Sequence, residues 1–169
     1  SPGTRRPWTL SSTAPAAAGA DLLYVRGRQG VDIFWLGKGT RMQAFGGQFE
    51  VLEEVPGADL VGWRYSGPFD DLPAVRAAFA AGTRDEPDQP YVHRVVPWSE
   101  VGDEEGTGIV HIAPGCGAED YQLGTALGLP TIAPLDELGI VLDGFGALSG
   151  RDVRDITDPT GSVSPYIGN

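Results

Sequence analysis

Several residue types that carry particular chemistries are scarce in this sequence. Its 169 residues include a single cysteine, Cys116, which excludes an internal disulfide and any site built from several thiolates. The only two histidines are His93 and His111, so a metal site would depend on carboxylates, and no carboxylates have the spacing of such a site. We therefore expect neither a bound metal nor another cofactor.

Long apolar runs are also missing. No stretch approaches the roughly 20 residues that a membrane-spanning helix needs. The first 20 residues, rich in Pro, Ala, Ser and Gly, lack the apolar centre of a signal peptide. We therefore expect a soluble, cytoplasmic protein with no membrane partner. Its length fits one domain with a substantial core.

Basic residues are few, and nearly all of them are arginines. Lys38 is the only lysine, and the formal net charge is −11. A protein that follows a long nucleic-acid backbone is normally basic, because neutralisation of phosphates dominates its affinity. The composition therefore argues against tight binding of a large nucleic acid by this chain alone. It allows contact with one end of such a molecule.

The most specific pattern of the sequence lies in its second half. β-Branched residues at 109–112 predict a strand that Pro114 ends, because proline cannot donate to a ladder. A glycine turn follows at 115–117. A helix is then predicted from Ala118, with Gly128 at its C-terminal end. The order is therefore strand, turn, helix.

This junction gathers residues that carry chemistry into a short segment. His111 lies near the end of the strand, and Glu119 and Asp120 stand in the first turn of the helix, where carboxylates suit the helix dipole. By residue type alone, the two carboxylates are most simply capping residues and His111 is most simply structural. Cys116 carries no signature of a thiol hydrolase, so it is not predicted to be a nucleophile.

The order of these residues resembles a known family. The segments Gly106-Thr-Gly-Ile-Val-His-Ile-Ala-Pro114 and Gly117-Ala-Glu-Asp-Tyr121 look like the signature of the editing (CP1) domain of isoleucyl-tRNA synthetase. The related valine and leucine enzymes share the frame but usually lack histidine at the position of His111. Two further segments match in the family's order, Pro7-Trp-Thr-Leu10 and the run from Leu60 to Asp71.

The resemblance implies a fold as well as a family. The expected fold is mixed and mostly β, with a compact β-barrel core and a few short helices. The editing domain would occupy residues 1–150, and residues 151–169 would form a connector or a partly disordered tail.

The resemblance also implies a reaction. The chain would carry out post-transfer editing, which is hydrolysis of the ester in valyl-tRNA(Ile), with the 3′ end of that tRNA as its partner. The rest of a parent synthetase would be a second partner if the chain is a fragment. Asp120 would hold the α-ammonium group of the substrate and His111 would line the side-chain pocket. Thr4, a catalytic candidate with Asp120, would border the 3′ adenosine and the attacking water together with Trp8 and Thr9.

One segment departs from the family's pattern. Relatives usually have three threonines before Pro-Trp-Thr-Leu, and this chain has Thr4, Arg5 and Arg6 there. The arginines are either a tolerated surface change, or contacts to phosphate, or a cause of impaired hydrolysis. The alternative function is therefore a catalytically impaired module that binds the tRNA 3′ end. The chain also lacks the His-x-Gly-His and Lys-Met-Ser-Lys-Ser motifs, so it is not expected to aminoacylate tRNA on its own.

Local patterns predict the remaining elements. A helix is predicted to start at Asp70 or Asp71 and to end at Gly82. The first two strands are expected to join through residues 27–30, and His93 is expected to be structural. The predicted strands lie at residues 21–26, 31–36, 49–52, 60–65, 91–98, 131–135 and 139–142.

Overall fold

The computed structural model describes residues 11–40, 49–102, 104 and 106–156. The described residues divide into two compact units. Residues 11–14, 66–92 and 112–156 form one unit, called here the helical unit. Residues 15–65 and 93–111 contribute to the other, called here the sheet unit.

Within its described residues, the sheet unit contains two three-stranded sheets and one short helix, α1 (Gly57–Leu60). Its strands are β1 (Ala16–Ala18), β2 (Leu23–Gln29), β3 (Asp32–Gly37), β4 (Glu50–Pro56), β5 (Val95–Pro97) and β6 (Ile109–His111). In one sheet, β1 lies between β5, to which it is parallel, and β6, to which it is antiparallel. In the other sheet, β2 lies between β3 and β4 and is antiparallel to both.

The connection between β2 and β3 is shorter than predicted. Gly27, expected in the loop, lies within β2, and the turn forms at Gly30, whose φ is +62°. A side chain at Gly27 would meet the ring of Phe49, because a Cβ built there lies 2.0 Å from a ring carbon. Close packing, rather than a turn, therefore explains this glycine, which stands beside an irregularity in the pairing of β2 with β4.

Two other predicted strands are wrong in their extent. In the segment predicted as a strand at 60–65, α1 covers Leu60, and Gly62, with φ +88°, interrupts the extended backbone. Only Arg64 forms a bridge there, to Arg94. The strand predicted at 91–98 is reduced to the three residues of β5.

Tyr24 holds the centre of the sheet unit together. Its side chain is fully buried, and its hydroxyl donates a hydrogen bond to the carbonyl oxygen of Gly108 at 2.7 Å. The same hydroxyl accepts from the backbone N–H of Gly19 at 2.9 Å. Ala18 and Leu60 pack with this ring to form the core of the unit.

The helical unit contains the other helices of the described residues. They are α2 (Pro73–Ala80), α3 (Ala118–Ala126), a 3₁₀ helix (Gly146–Leu148) and α4 (Val153–Ile156). These elements enclose a core cluster of Ala14, Val75, Phe79, Tyr91, Leu129, Ile132, Val141, Phe145, Leu148 and Ile156.

The predicted start of α2 is wrong, although its end is confirmed. Leu72 is the N-cap residue and makes no side-chain cap, because leucine has no polar side-chain atom to accept a hydrogen bond. Pro73 follows at the start of the helix, where its fixed φ suits the first turn. Asp70 instead accepts a hydrogen bond from the N–H of Gly67 at 2.8 Å. Gly82, with φ +72°, follows the helix end as predicted.

The two strands predicted around residue 136 are also reduced to isolated bridges. Leu135 pairs with Val141, and Ile140 pairs with Asp152. The turn between them is confirmed, since the carboxylate of Asp136 accepts from the N–H groups of Leu138 and Ile140. One carboxylate thus satisfies two turn amides, which stabilises the turn without a longer ladder.

The fold class is confirmed in its coarser form, mostly sheet with a few short helices. No closed barrel is found within the described ranges, so the barrel stays a prediction. None of the helices in the described part of the chain is long and apolar enough to cross a membrane. The boundary after residue 150 stays a prediction, with Ile156 of α4 packed into the core of the helical unit.

Candidate functional site

The predicted strand, turn and helix around residue 115 are confirmed. Strand β6 ends at His111, and α3 begins at Ala118 after Gly117, which is extended with φ −147° and ψ 147°. The helix ends near Leu127, and Gly128 follows in the left-handed region with φ +63°. Glu119 and Asp120 lie in the first turn of α3, as predicted.

The carboxylate of Asp120 is held by the backbone of the preceding turn. Its Oδ2 accepts a hydrogen bond from the N–H of Ala113 at 2.9 Å, and Ala113 itself is buried. No other hydrogen bond reaches this carboxylate from the residues that the structure describes. The side chain is half-buried, so Oδ1 is available to accept from a cationic group while Oδ2 fixes the orientation.

Two glycines allow the turn and α3 to pack this closely. A Cβ built at Gly115 lies 2.0 Å from the carbonyl oxygen of Ile132, a contact with backbone that no side chain tolerates. A Cβ at Gly124, inside α3, lies 2.7 Å from Cγ of Pro114. Gly117 is different, because a Cβ there meets nothing nearer than Asp120 at 3.6 Å. Residues 115 and 124 therefore set the position of α3 and of the carboxylate on it.

Glu119 makes no comparable hydrogen bond to the backbone of the turn within the described residues. Its side chain is exposed, and α3 has no side-chain cap at its N-terminus. Glu119 was predicted to act as a capping and dipole residue. No side-chain cap is found at this helix end, and the position of Glu119 in the first turn agrees with the dipole interaction. Of the two neighbouring carboxylates, only Asp120 is oriented by a hydrogen bond within the described residues.

Cys116 lies in the same turn and has the properties of an unreactive thiol. Its N–H donates to the carbonyl oxygen of Ala113 at 2.9 Å. Although the residue is exposed overall, partial desolvation of the sulfur raises the pKa of the thiol. The Asp120 carboxylate also raises this pKa, while the hydroxyl of Ser12 lowers it by hydrogen bonding. The thiol therefore stays protonated near neutral pH, as a nucleophile would not.

His111 belongs to the sheet unit, whereas Asp120 belongs to the helical unit. His111 is half-buried at the end of β6, directly opposite Ala16 of β1. Because side chains alternate along a strand, His111 shares a sheet face with Ile109 and not with the exposed Val110. A common site for His111 and Asp120 stays a prediction.

The other predicted site residues belong to the first ten residues of the chain. Thr4, Trp8 and Thr9 lie outside the described residues, as do Arg5 and Arg6. The predicted structural role of His93 agrees with its position, since the ring is buried and stacks on Tyr65 at a centroid distance of 4.8 Å. Within the described ranges, no three or more His, Cys, Asp or Glu side chains are grouped as metal ligands.

A pocket in the sheet unit was not predicted from the sequence. It is an apolar cavity of about 240 Å³ with Trp35, Trp63 and Tyr65 among its lining residues. The two indole rings meet edge to face, with centroids 5.0 Å apart. Trp63 and Tyr65 lie in a segment that matched the family pattern, but Trp35 lies far from them in sequence. No sequence signal joins the three.

Known proteins resemble this chain in sequence and in fold. Isoleucine–tRNA ligase from Methanothermobacter thermautotrophicus is 34% identical over 152 residues, which are 90% of this chain and 13% of the ligase. The enzyme from Methanoregula boonei is 34% identical over 162 residues, 90% of this chain and 14% of the ligase. The chain therefore spans only about one seventh of the length of these curated relatives.

The fold is similar to a solved structure from a related enzyme. The crystal structure described as GlLeuRS-CP1 superposes with a TM-score of 0.55 at 20% sequence identity. The match covers 73% of this chain and 42% of that one. No protein-family model matches the chain.

Proposed function

We propose that this chain, which is homologous to isoleucine–tRNA ligases over 90% of its length and has the fold of a CP1 editing domain, hydrolyses the ester bond of valyl-tRNA(Ile). The observation that carries the proposal is the Asp120 carboxylate. One of its oxygens is fixed by the Ala113 amide, and the other is available at the start of α3.

The need for such a reaction follows from the energetics of recognition. Isoleucyl-tRNA synthetase is the standard example of a pocket that must distinguish two substrates by one methylene group, which is worth only about 1–3 kcal/mol. A synthetic site therefore charges some tRNA with valine. A second site that hydrolyses the smaller product restores fidelity.

Asp120 is proposed to bind the α-ammonium group of the esterified amino acid. A hydrogen bond between ammonium and carboxylate is charge-assisted, and it is roughly twice as strong as a neutral one. The Ala113 amide limits rotation of the carboxylate, so less freedom is lost when substrate binds. Asp120 would hold either ester in place and would not select between amino acids.

Selection by size is proposed for His111, whose side chain would occupy the space that isoleucine needs beyond valine. Thr4, Trp8 and Thr9 are proposed to border the 3′ adenosine and the attacking water, as the family resemblance implies. A threonine hydroxyl both donates and accepts hydrogen bonds, which suits orientation of a water molecule.

The partners proposed for this chain follow from its net charge and from the small part of the ligases' length that it spans. With a net charge of −11, the chain would contact the 3′ end of tRNA(Ile), and the rest of a parent synthetase would hold the body of the tRNA. The location is proposed to be cytoplasmic. The alternative of an impaired binding module is not favoured by homology to the ligases.

Single-turnover deacylation tests the proposal. The substrates are valyl-tRNA(Ile) and isoleucyl-tRNA(Ile), and the proteins are the unaltered chain, Asp120→Ala and the matched control Glu119→Ala. We expect hydrolysis of the valine ester alone, slowed about 100-fold by Asp120→Ala, which corresponds to about 2.7 kcal/mol. Glu119→Ala should stay within about twofold, because this exposed neighbour contributes at most a dipole interaction.

A folding control accompanies the rates. Asp120→Ala loses the bond from the buried Ala113 amide to a carboxylate, worth about 1.5–3 kcal/mol. This is less than the stability of a typical domain, so the variant should remain folded by circular dichroism. Wild-type rates in a folded Asp120→Ala domain would exclude the proposed role. Hydrolysis of neither ester by the unaltered chain would exclude the proposed activity.

A further inference from the structure

The ladder between β1 and β6 ends at two glycines. Ala18 pairs with Ile109 at the last position of these strands, so Gly19 and Gly108 occupy the next position. In an antiparallel pair, residues whose backbone groups are directed at the partner alternate with residues whose groups point away from it. The direction of the backbone groups at Gly19 therefore follows from the pattern along β1.

The bonds of β1 to its other neighbour, β5, define this pattern. The N–H of Ala16 donates to the carbonyl oxygen of Arg94 at 3.2 Å, and the carbonyl oxygen of Ala18 accepts from the N–H of Trp98 at 3.0 Å. Residues 16 and 18 thus direct their backbone groups at β5. Residues 17 and 19 direct theirs at β6, so a bond from the N–H of Gly19 to the opposite carbonyl oxygen would continue the ladder.

The hydroxyl of Tyr24 occupies the place of that bond. It accepts from the N–H of Gly19 at 2.9 Å and donates to the carbonyl oxygen of Gly108 at 2.7 Å. Gly108 has left the strand conformation, with φ +69°, and the hydroxyl joins the two glycines across this point. The side chain of Tyr24 is fully buried, so the bridge is shielded from solvent and satisfies both backbone groups.

A second contact fixes the same turn. Gly37 is the cross-strand partner of Tyr24 in the pair of β2 and β3. Its N–H donates to the carbonyl oxygen of Thr107 at 2.7 Å, and a Cβ built at Gly108 lies 3.0 Å from the Cα of Gly37. Tyr24 and Gly37 therefore hold the residues that lead into β6. This strand has only three residues, so few bonds of its own define its register.

We propose that Tyr24 is a positioning residue that sets the register of β6 and thereby the place of His111, whose part in selection rests on the proposed function. A slip of one residue would turn His111 to the opposite face of the sheet. In the register that the bridge defines, His111 lies opposite Ala16 and shares a face with Ile109. A hydroxyl bonded on both sides of the ladder opposes such a slip.

The variant Tyr24→Phe tests the bridge, because it removes the hydroxyl and keeps the ring. The matched control is Tyr91→Phe, the same change at a buried tyrosine in the core of the helical unit. Circular dichroism checks that both variants are folded. In the unaltered chain, the hydroxyl proton of Tyr24 should exchange slowly enough to be observed by NMR. Rapid exchange of this proton would overturn the inference whether or not the variants fold.

NMR of the variants measures the effect on β6. In Tyr24→Phe, the amide of Val110 should exchange about 10-fold faster or more, because the end of the ladder opens locally, and the amides of α3 should not follow. The nuclear Overhauser contact between the methyl group of Ala16 and the ring of His111 should weaken. Tyr91→Phe should produce neither change.

Single-turnover rates on the two esters measure the effect on selection. Tyr24→Phe should reduce the preference for the valine ester about threefold to 10-fold, the range expected for one lost hydrogen bond. Tyr91→Phe should leave the preference within about twofold. Adding Tyr24→Phe to His111→Ala should change the preference no further than His111→Ala alone, because one residue acts through the other. A tyrosine that only stabilised the fold would not produce this non-additivity.

The contrary outcomes separate the inference from the proposed function. Deacylation with a preference that Tyr24→Phe leaves unchanged would overturn the positioning role alone, as would additive effects of the two changes. If the unaltered chain hydrolyses neither ester, the proposed function fails and the contact between Ala16 and His111 decides the inference. Loss of that contact in Tyr24→Phe supports the positioning role, and its persistence overturns it.

Discussion

The two units place their candidate functional groups by different means. In the helical unit, the Asp120 carboxylate is positioned by backbone, through the Ala113 amide and the close approach of Gly115 to Ile132. In the sheet unit, the pocket is built from large side chains such as Trp35 and Trp63. The candidate site of the helical unit therefore depends on glycines, which have no side chain. The pocket of the sheet unit depends instead on large side chains. Substitutions should reveal this difference.

The largest expected effect concerns Gly115. Gly115→Ala places a Cβ against the carbonyl oxygen of Ile132, so either the turn or the segment at residue 132 must move. We expect a loss of about 3 kcal/mol in the free energy of unfolding, measured by urea denaturation. Gly117→Ala is the matched control, because its Cβ has ordinary contacts and its backbone is extended, and it should lose less than about 1 kcal/mol. Equal losses of unfolding free energy in the two variants would contradict the proposal that the close approach of Gly115 to Ile132 positions the turn.

The next effect concerns His111, where the size of a side chain is proposed to matter. His111→Ala should allow isoleucyl-tRNA(Ile) to be hydrolysed and reduce the preference for the valine ester about 10-fold or more, the worth of one methylene group. Single-turnover rates on both esters measure this preference. A folded His111→Ala variant with no activity on either ester would indicate direct participation in the reaction instead.

A smaller effect is expected from the arginines at the amino end. Guanidinium groups are long, permanently charged and unable to accept a proton, unlike the threonines usual in the family. We therefore predict that changing both Arg5 and Arg6 to Thr raises the rate on valyl-tRNA(Ile) about threefold to 10-fold, about 1 kcal/mol. An unchanged or lower rate would contradict impairment. A loss that is greatest at low salt would indicate phosphate contacts by the arginines.

The smallest effect is expected at Cys116. This residue lies in the turn whose backbone positions the Asp120 carboxylate, and its own side chain is not expected to take part. Cys116→Ser should leave deacylation within about twofold, because a protonated thiol is a poor nucleophile. Alkylation by iodoacetamide should rise with pH along a curve displaced above that of a free thiol. Because the folded pKa is raised, any stability linked to this group is present below the ordinary pKa and decreases as pH rises through the raised one. Alkylation at or below the ordinary midpoint would contradict the raised pKa.

Local sequence patterns predicted the structure correctly where a single residue determines the backbone conformation. Gly82 and Gly128 followed helices as predicted, because glycine adopts the left-handed conformation that these ends require. Strand β6 ended at His111, earlier than the predicted stop at Pro114. Gly27 was predicted to lie in a loop, but it lies in β2, where the ring of Phe49, just before β4, leaves no room for a side chain. Glycine specifies either a turn or a close contact, and only the tertiary structure distinguishes the two.

The pocket could not be predicted from local sequence patterns, because it too depends on contacts made only in the tertiary structure. Trp35, Trp63 and Ile109 come from three separate parts of the chain, and each alone is an unremarkable strand-type residue. Asp120 could be selected from the sequence because the family motif marks it. The hydrogen bond from Ala113 that distinguishes it from Glu119 appears only when the turn is folded.

The bond from Tyr24 to Gly108 has a consequence for the order in which the chain folds. The two residues are 84 positions apart, and β1 likewise pairs with β5 and β6, which come later in the sequence. During synthesis, the β2–β3 hairpin is complete long before the partners of β1 have left the ribosome. Contacts of such long range form slowly, because the loop must close before they contribute. Until β5 and β6 are available, the edges of β1 are unpaired and can form incorrect pairs with other strands. A chaperone would protect β1 during this period.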